Sequence, residues 1–171
     1  MKMLEQVLGK KTADRLTEGT YIARGHLAPD ADFIFGSWQF LTYFYANVAP
    51  QWQSINAGNW LATEKNVRKK AIELNRDLTV YTGTQGILTI EGKQLYLEPK
   101  KKQVPIPENF WKLLFDELTK QGIAIIGSNN PPSWRTRRTS SARTSARPTA
   151  GQTTSASPER VLSTAAPSLT C

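Results

Sequence analysis

The chain has one histidine, His26, set two residues after Arg24 in the stretch YIARGHLAPDADF (21–33). Thirty residues further on comes Asn56, at the head of a segment with helical period. Trp60 and Glu64 follow it at i+4 and i+8, a spacing that predicts one shared helix face. These residue types suit phosphodiester hydrolysis. That reaction needs a base for the attacking water, a divalent cation for charge on the phosphoryl oxygens, and a cationic side chain to hold the phosphate. An imidazole titrates near neutral pH, which suits His26 to be the base. Asn56 offers a hard oxygen for Mg²⁺, a metal that keeps most of its waters and needs few protein ligands; Mn²⁺ is a second candidate. Arg24 can clamp a phosphate in bidentate fashion. Glu64 can accept hydrogen bonds from waters around the metal.

Neighbouring polar residues have plainer readings. Asp30 and Asp32 read as solvated turn residues rather than ligands. Asn59 and Gln51 are structural hydrogen-bonders or cleft residues. Trp52 packs, with base stacking as its alternative. The run EPKKKQ (98–103) reads as a solvated hairpin edge, with a grip on phosphates as its alternative.

These residues need elements to carry them. TYIAR reads as a strand leading into the Gly-His turn. WQFLTYFYANV is apolar and aromatic, and is expected to be buried. From Asn56 to about Arg76, Trp60, Val67, Ala71 and Leu74 recur at helical spacing. LTVYTGT, GILTI and QLYLE predict an antiparallel meander. FWKLLFDEL fits an amphipathic helix, yet Trp111, Leu113 and Phe115 alternate as in a strand. IAIIG predicts a buried strand. The succession of strand, loop, helix and further strands indicates an α+β domain.

Composition narrows the function classes. The 171 residues carry a net charge of +8, which points to a polyanionic partner. The charge is uneven: six of the 22 bases and one of the 14 acids lie beyond residue 131, so the body is only mildly basic. No apolar run approaches the roughly 20 residues of a membrane span. The start, MKMLEQVLGKK, lacks the hydrophobic centre of a signal peptide. One histidine and one cysteine cannot build a Cys/His zinc site.

ARGHLAPDADF, NVAPQWQSINAGNW and Glu64 resemble the DNA/RNA non-specific endonuclease family, whose core is the ββα-metal (His-Me) finger. The likeness is greatest to arthropod nucleases that degrade double-stranded RNA and to alkaline gut nucleases. VYTGTQGIL, VPIPENFWKLLFDE and GIAIIGSNNP support it, so the resemblance spans about residues 10–131. It implies an antiparallel sheet with one long active-site helix, and makes FWKLLFDE a strand. It also implies His26 as general base, Asn56 as the sole direct protein ligand of Mg²⁺, and Arg24 at the phosphate. Glu64 would anchor water, and Asn47 would be an active-site polar residue. Expected products carry a 5′-phosphate and a 3′-hydroxyl, from DNA and RNA substrates, double-stranded ones included. The resemblance further implies a secreted or lumenal protein, with no membrane partner. Ala23 departs from the pattern, because many members have aspartate there. Members also carry an earlier stretch with another basic active-site residue, so Met1 reads as an incomplete start.

Residues 132–171 are mostly Ser, Thr, Ala, Pro and Arg, and are expected to form a disordered tail. Read one base out of register, residues 139–146 permit Asp, Ile or Val, and Cys in a recurring order. Residues 150–151 permit Gly-Trp, and 164–167 permit Tyr-Cys-Cys-Thr. These strings resemble the cysteine-bearing C-terminal region of the arthropod nucleases. The expectation is that the tail is a frameshift product whose disulfide cysteines were lost. Two functions follow from the sequence. One is a Mg²⁺-dependent endonuclease of low sequence specificity. The other is a non-catalytic remnant that only binds nucleic acid.

Overall fold

The computed structural model describes residues 2–131 and 161–162, so most of the expected tail lies outside the described residues. Two short helices open the chain, α1 (Lys2–Leu8) and α2 (Lys10–Thr17). Gly9 separates them at φ 81°, a left-handed backbone that glycine adopts without a Cβ clash. Leu4 and Leu8 lie at i,i+4 on α1, and Ala13 and Leu16 at i,i+3 on α2, so each helix buries one stripe. These four side chains join Trp52, Leu88, Ile90, Leu95 and Ile106 in a single apolar cluster. No helix among the described residues is long and apolar enough to cross a membrane.

Strand β1 (Ile22–His26) pairs antiparallel with β2 (Val48–Trp52), which sets His26 opposite Val48 and Arg24 opposite Pro50. The strands approach closely at Gly25, where a Cβ would collide with the buried Gln51 side chain. The connection between them holds a 3₁₀ turn (Asp30–Asp32) and the short helix α3 (Gly36–Leu41). After β2 the chain turns through α4 (Gln53–Ile55) and a π-helical segment (Asn56–Trp60) into α5 (Leu61–Leu74). Asn75 ends α5 in the left-handed region at φ 50°, ψ 46°.

The remaining strands do not form the expected single meander. β3 (Thr79–Gln85) pairs with β8 (Asn109–Asp116), and β8 with β9 (Gln121–Ser128). Strand β10 (Val161–Leu162) closes the order β10-β9-β8-β3. The segment between β3 and β8 folds as two separate ribbons, β4 (Thr89–Ile90) with β5 (Lys93–Gln94), and β6 (Tyr96–Glu98) with β7 (Gln103–Pro105). Each ribbon is too short to extend the sheet. Instead, Leu88, Leu95 and Ile106 bond to one another through the backbone and bury against α1 and α2.

Residues 109–116 form a strand, as the resemblance implies, but its inward face is not the one that sequence suggests. Phe110, Lys112 and Leu114 are buried, while Trp111, Leu113 and Phe115 are only half-buried. The IAIIG segment lies within β9, yet Ile123 and Ile126, on opposite faces of the strand, are exposed, so the expected buried strand is only partly buried. The aromatic stretch 38–48 overturns its expectation more fully. Trp38, Phe40, Phe44 and Tyr45 are exposed, Tyr45 at 84 %. The rings pair locally instead, Phe35 with Trp38 at 4.9 Å and Phe40 with Phe44 at 6.0 Å. Spacings of three and four residues bring such pairs together with no second layer above them.

Asn129 fastens β2 to the approach of β8. Fully buried, it accepts from the Trp52 amide at 3.1 Å through Oδ1, and its Nδ2 donates to the carbonyls of Pro50 (3.2 Å) and Pro107 (2.9 Å). Each of these backbone groups would otherwise be buried without a partner.

Candidate functional site

Alternation along β1 puts Arg24 and His26 on one face. Both line an open cleft of about 840 Å³, together with Asn56 and Gln53 from the turn after β2. Tyr43, Tyr45, Leu97 and Val104, with Met3 and Leu4 of α1, also line it. Three of the residues singled out by sequence therefore meet in one place.

His26 stands edge-to-face with Tyr43, ring centroids 4.6 Å apart. Its Nε2 is buried and has no hydrogen-bond partner among the described residues. Burial lowers the imidazole pKa below the usual 6.5; Asp30 opposes that shift and Arg24 adds to it. The ring is thus biased towards its neutral, proton-accepting form. Tyr43 donates to Asp30 Oδ2 at 3.0 Å, and this bond with the adjacent carboxylate raises the phenol pKa.

Arg24 is exposed and has no ion pair among the described residues. Its guanidinium is available to an incoming anion. Asn56 Nδ2 donates to Gln53 Oε1 at 3.2 Å, which orients the amide and leaves Oδ1 as its acceptor. Asn56 opens the π-helical segment, and Gly58 within it has non-helical angles of φ −101° and ψ −114°. Such single-turn insertions re-aim side chains relative to the helix that follows. The even i, i+4, i+8 stripe is accordingly broken. Asn56 lines the cleft, while Glu64 does not and is buried in α5, 9 % exposed. Burial raises the Glu64 pKa; Lys112 is the main opposing influence, with Arg68 in support and Asp30 and Asp32 against it.

Asn47 is placed differently from a free polar group in the cleft. Its Oδ1 accepts from the Ala28 amide at 3.0 Å, and its Nδ2 donates to the Ala28 and Thr42 carbonyls at 2.8 and 2.9 Å. The side chain is engaged with the loop that leaves His26. Asp32 pairs with Arg68 at 2.8 Å and Asp30 accepts from Tyr43, so both are engaged by side chains rather than simply solvated, while Trp52 is fully buried and packs as expected. The lysines of EPKKKQ sit on the exposed turn between β6 and β7, where Lys101 pairs with Glu98.

Sequence reasoning missed Lys112. It is 2 % exposed, and its Nζ donates to the Leu27 carbonyl at 2.8 Å. The same Nζ lies 5.2 Å from the centre of the Trp60 ring. The one available signal was its place between Phe110 and Leu114, at the period of a buried strand face.

The described residues contain no group of three or more His, Cys, Asp or Glu able to hold a metal. Of the groups that line the cleft, Asn56 Oδ1 is a hard neutral oxygen of the kind that suits a largely hydrated cation. Comparison with known proteins gives a consistent context. The family model described as DNA/RNA non-specific endonuclease matches residues 5–157. A salivary endonuclease of Lutzomyia longipalpis is 43 % identical over 113 residues, 65 % of this chain and 28 % of that protein. One from Culex quinquefasciatus is 38 % identical over 112 residues, 64 % of this chain and 30 % of that protein. Salivary protein Tsal1 of Glossina morsitans morsitans is 33 % identical over 127 residues, 72 % of this chain and 31 % of that protein. The chain thus spans less than a third of the length of these curated relatives.

Proposed function

The chain belongs to the DNA/RNA non-specific endonuclease family, and from that premise we propose that it is a Mg²⁺-dependent endonuclease of low sequence specificity. Its substrates in this reading are DNA and RNA, double-stranded forms included, and its setting is secretory, in keeping with the salivary relatives. The observation that carries the reading is the meeting of three groups in one cleft: a half-buried histidine biased towards its neutral form, an arginine with no ion pair among the described residues, and an oriented asparagine oxygen.

His26 receives the proton of the attacking water. The water oxygen bonds to phosphorus as the P–O3′ bond breaks, and the leaving 3′-oxygen takes a proton from solvent water, giving a 5′-phosphate and a 3′-hydroxyl. Arg24 holds a non-bridging oxygen and sets the phosphate in line. Asn56 Oδ1 would hold the cation, which when bound supplies charge for the phosphoryl and leaving oxygens. Glu64, on α5 after the segment that Asn56 begins, would accept hydrogen bonds from waters around the cation. Strands β1 and β2 with the helix that follows are read as the ββα-metal core.

The test is plasmid nicking and RNA degradation by the purified chain. Cleavage that needs Mg²⁺ and stops with chelator is the expected result. Salt-sensitive binding without cleavage would replace the enzyme with a domain that only binds nucleic acid.

A further inference from the structure

We infer that Lys112 is the positioning residue of this site, a buried cation that fixes the His26 strand against the helix of Asn56 and Glu64. It touches each part. Its Nζ donates to the carbonyl of Leu27, the residue next to His26. It lies over the ring of Trp60, which ends the segment that Asn56 begins. It comes from β8, and so ties both to the central sheet.

A lysine on the inward face of a strand is costly to desolvate and persists only where partners offset that cost. The partners here are the Leu27 carbonyl beside His26 and the indole face of Trp60, and Glu64 of α5 is the leading opposite charge. The charges facing Lys112 are Glu64 and Arg68 of α5 and Asp32 of the 3₁₀ turn. Those facing Glu64 are Lys112, Arg68, Asp30 and Asp32. Lys112 heads the influences that keep Glu64 ionised against burial, so its removal shifts Glu64 towards the protonated form. A protonated Glu64 can no longer accept two sets of hydrogen bonds from water.

The inference rests on the nuclease reading for activity, but not for its electrostatic part. The experiment compares the parent chain with Lys112→Met, Lys112→Gln and Lys112→Arg. Titration of the Glu64 carboxyl carbon by NMR in metal-free protein reports the charge coupling. Far-UV circular dichroism and the thermal midpoint of each variant supply the fold check. Glu64 is expected to titrate at higher pH in the Met and Gln variants and near the parent value in the Arg variant. Turnover in the neutral variants should fall roughly 10–100-fold, the range for losing a partner outside the direct ligands, with recovery in Lys112→Arg. An unmoved Glu64 midpoint in a folded neutral variant overturns the inference, as does unchanged turnover. Should the parent chain not cleave, the nuclease reading fails, and the Glu64 midpoint still decides whether Lys112 controls the carboxylate. Gln serves as the second neutral variant where Met aggregates.

Discussion

Asn47 and Ala28 are clasped by two hydrogen bonds, the Ala28 amide donating to Oδ1 at 3.0 Å and Nδ2 donating to the Ala28 carbonyl at 2.8 Å. The flanking backbone adds a third, from the Leu27 amide to the Asn47 carbonyl at 2.9 Å. An asparagine is the side chain that can donate and accept at once in this geometry. The pair prolongs the β1–β2 ladder past His26 and so fixes the direction in which the chain leaves the imidazole. Lys112 holds the Leu27 carbonyl from the opposite side.

Asn47→Asp keeps the acceptor and removes both donors, so it should harm the loop even though it is nearly isosteric. Roughly 1–2 kcal/mol of stability should be lost for carbonyls left without partners. Turnover should fall further than KM rises, because the clasp sets His26 and not substrate affinity. Denaturant unfolding and steady-state kinetics check both. Full activity with normal stability would show that the loop is held by other contacts.

His26→Ala should reduce cleavage about 10²–10⁴-fold, the weight of a positioned base. The pH dependence follows from the imidazole being shifted below 6.5 in the folded state. The base works when neutral, so the acid limb of kcat/KM should lie below pH 6.5. The same shift affects stability. As pH falls below 6.5 the unfolded chain gains a proton before the folded one does, which favours unfolding. His26→Ala should therefore lose less stability than the parent between pH 7 and pH 5. Unfolding measured at those two pH values checks the sign.

The parts of the site legible in sequence were those fixed by local order. Arg24 and His26 share a strand face because a single residue, Gly25, separates them, and Asn56 lies in a helical segment as its spacing suggests, although that segment begins three residues earlier at Gln53. Two features were hidden by their own residue types. Lys112 sits on the inward face, while the aromatic Trp111 and Phe115 drew the strand reading to the other face. A lysine reads as solvent-facing until a carbonyl, a ring and a carboxylate are seen around it. The π-helical insertion was equally hidden, since i, i+4, i+8 describes a regular helix and Gly58 departs from one. The ribbons β4–β5 and β6–β7 could not be told from a meander, because register depends on contacts with α1 and α2.

Asn56→Ala should abolish cleavage at any workable Mg²⁺ concentration, because Asn56 supplies the single oxygen proposed to hold the cation. Glu64→Gln should be milder. It retains an acceptor oxygen and removes a carboxylate whose burial already disfavours its charge. Titrating activity against Mg²⁺ for both variants gives the order. Greater damage from Glu64→Gln would exchange the two roles and move the metal towards α5.

The exposed aromatic segment separates burial from composition. Phe40 is 68 % exposed and pairs only with Phe44, whereas Phe110 is buried against Trp60 at a ring separation of 5.5 Å. Truncating a buried phenylalanine removes its transfer energy and leaves a cavity, so Phe110→Ala should cost about 3–5 kcal/mol. Phe40→Ser disturbs no packed layer and should stay within about 0.5 kcal/mol. The two residues belong to stretches that are both mostly apolar, FWKLL and WQFLT, and sequence alone would rank them together. Urea unfolding of both variants at one pH provides the comparison. A cost for Phe40→Ser that approaches that of Phe110→Ala would mean that Phe40 packs against something in the folded protein and is not the exposed side chain described above.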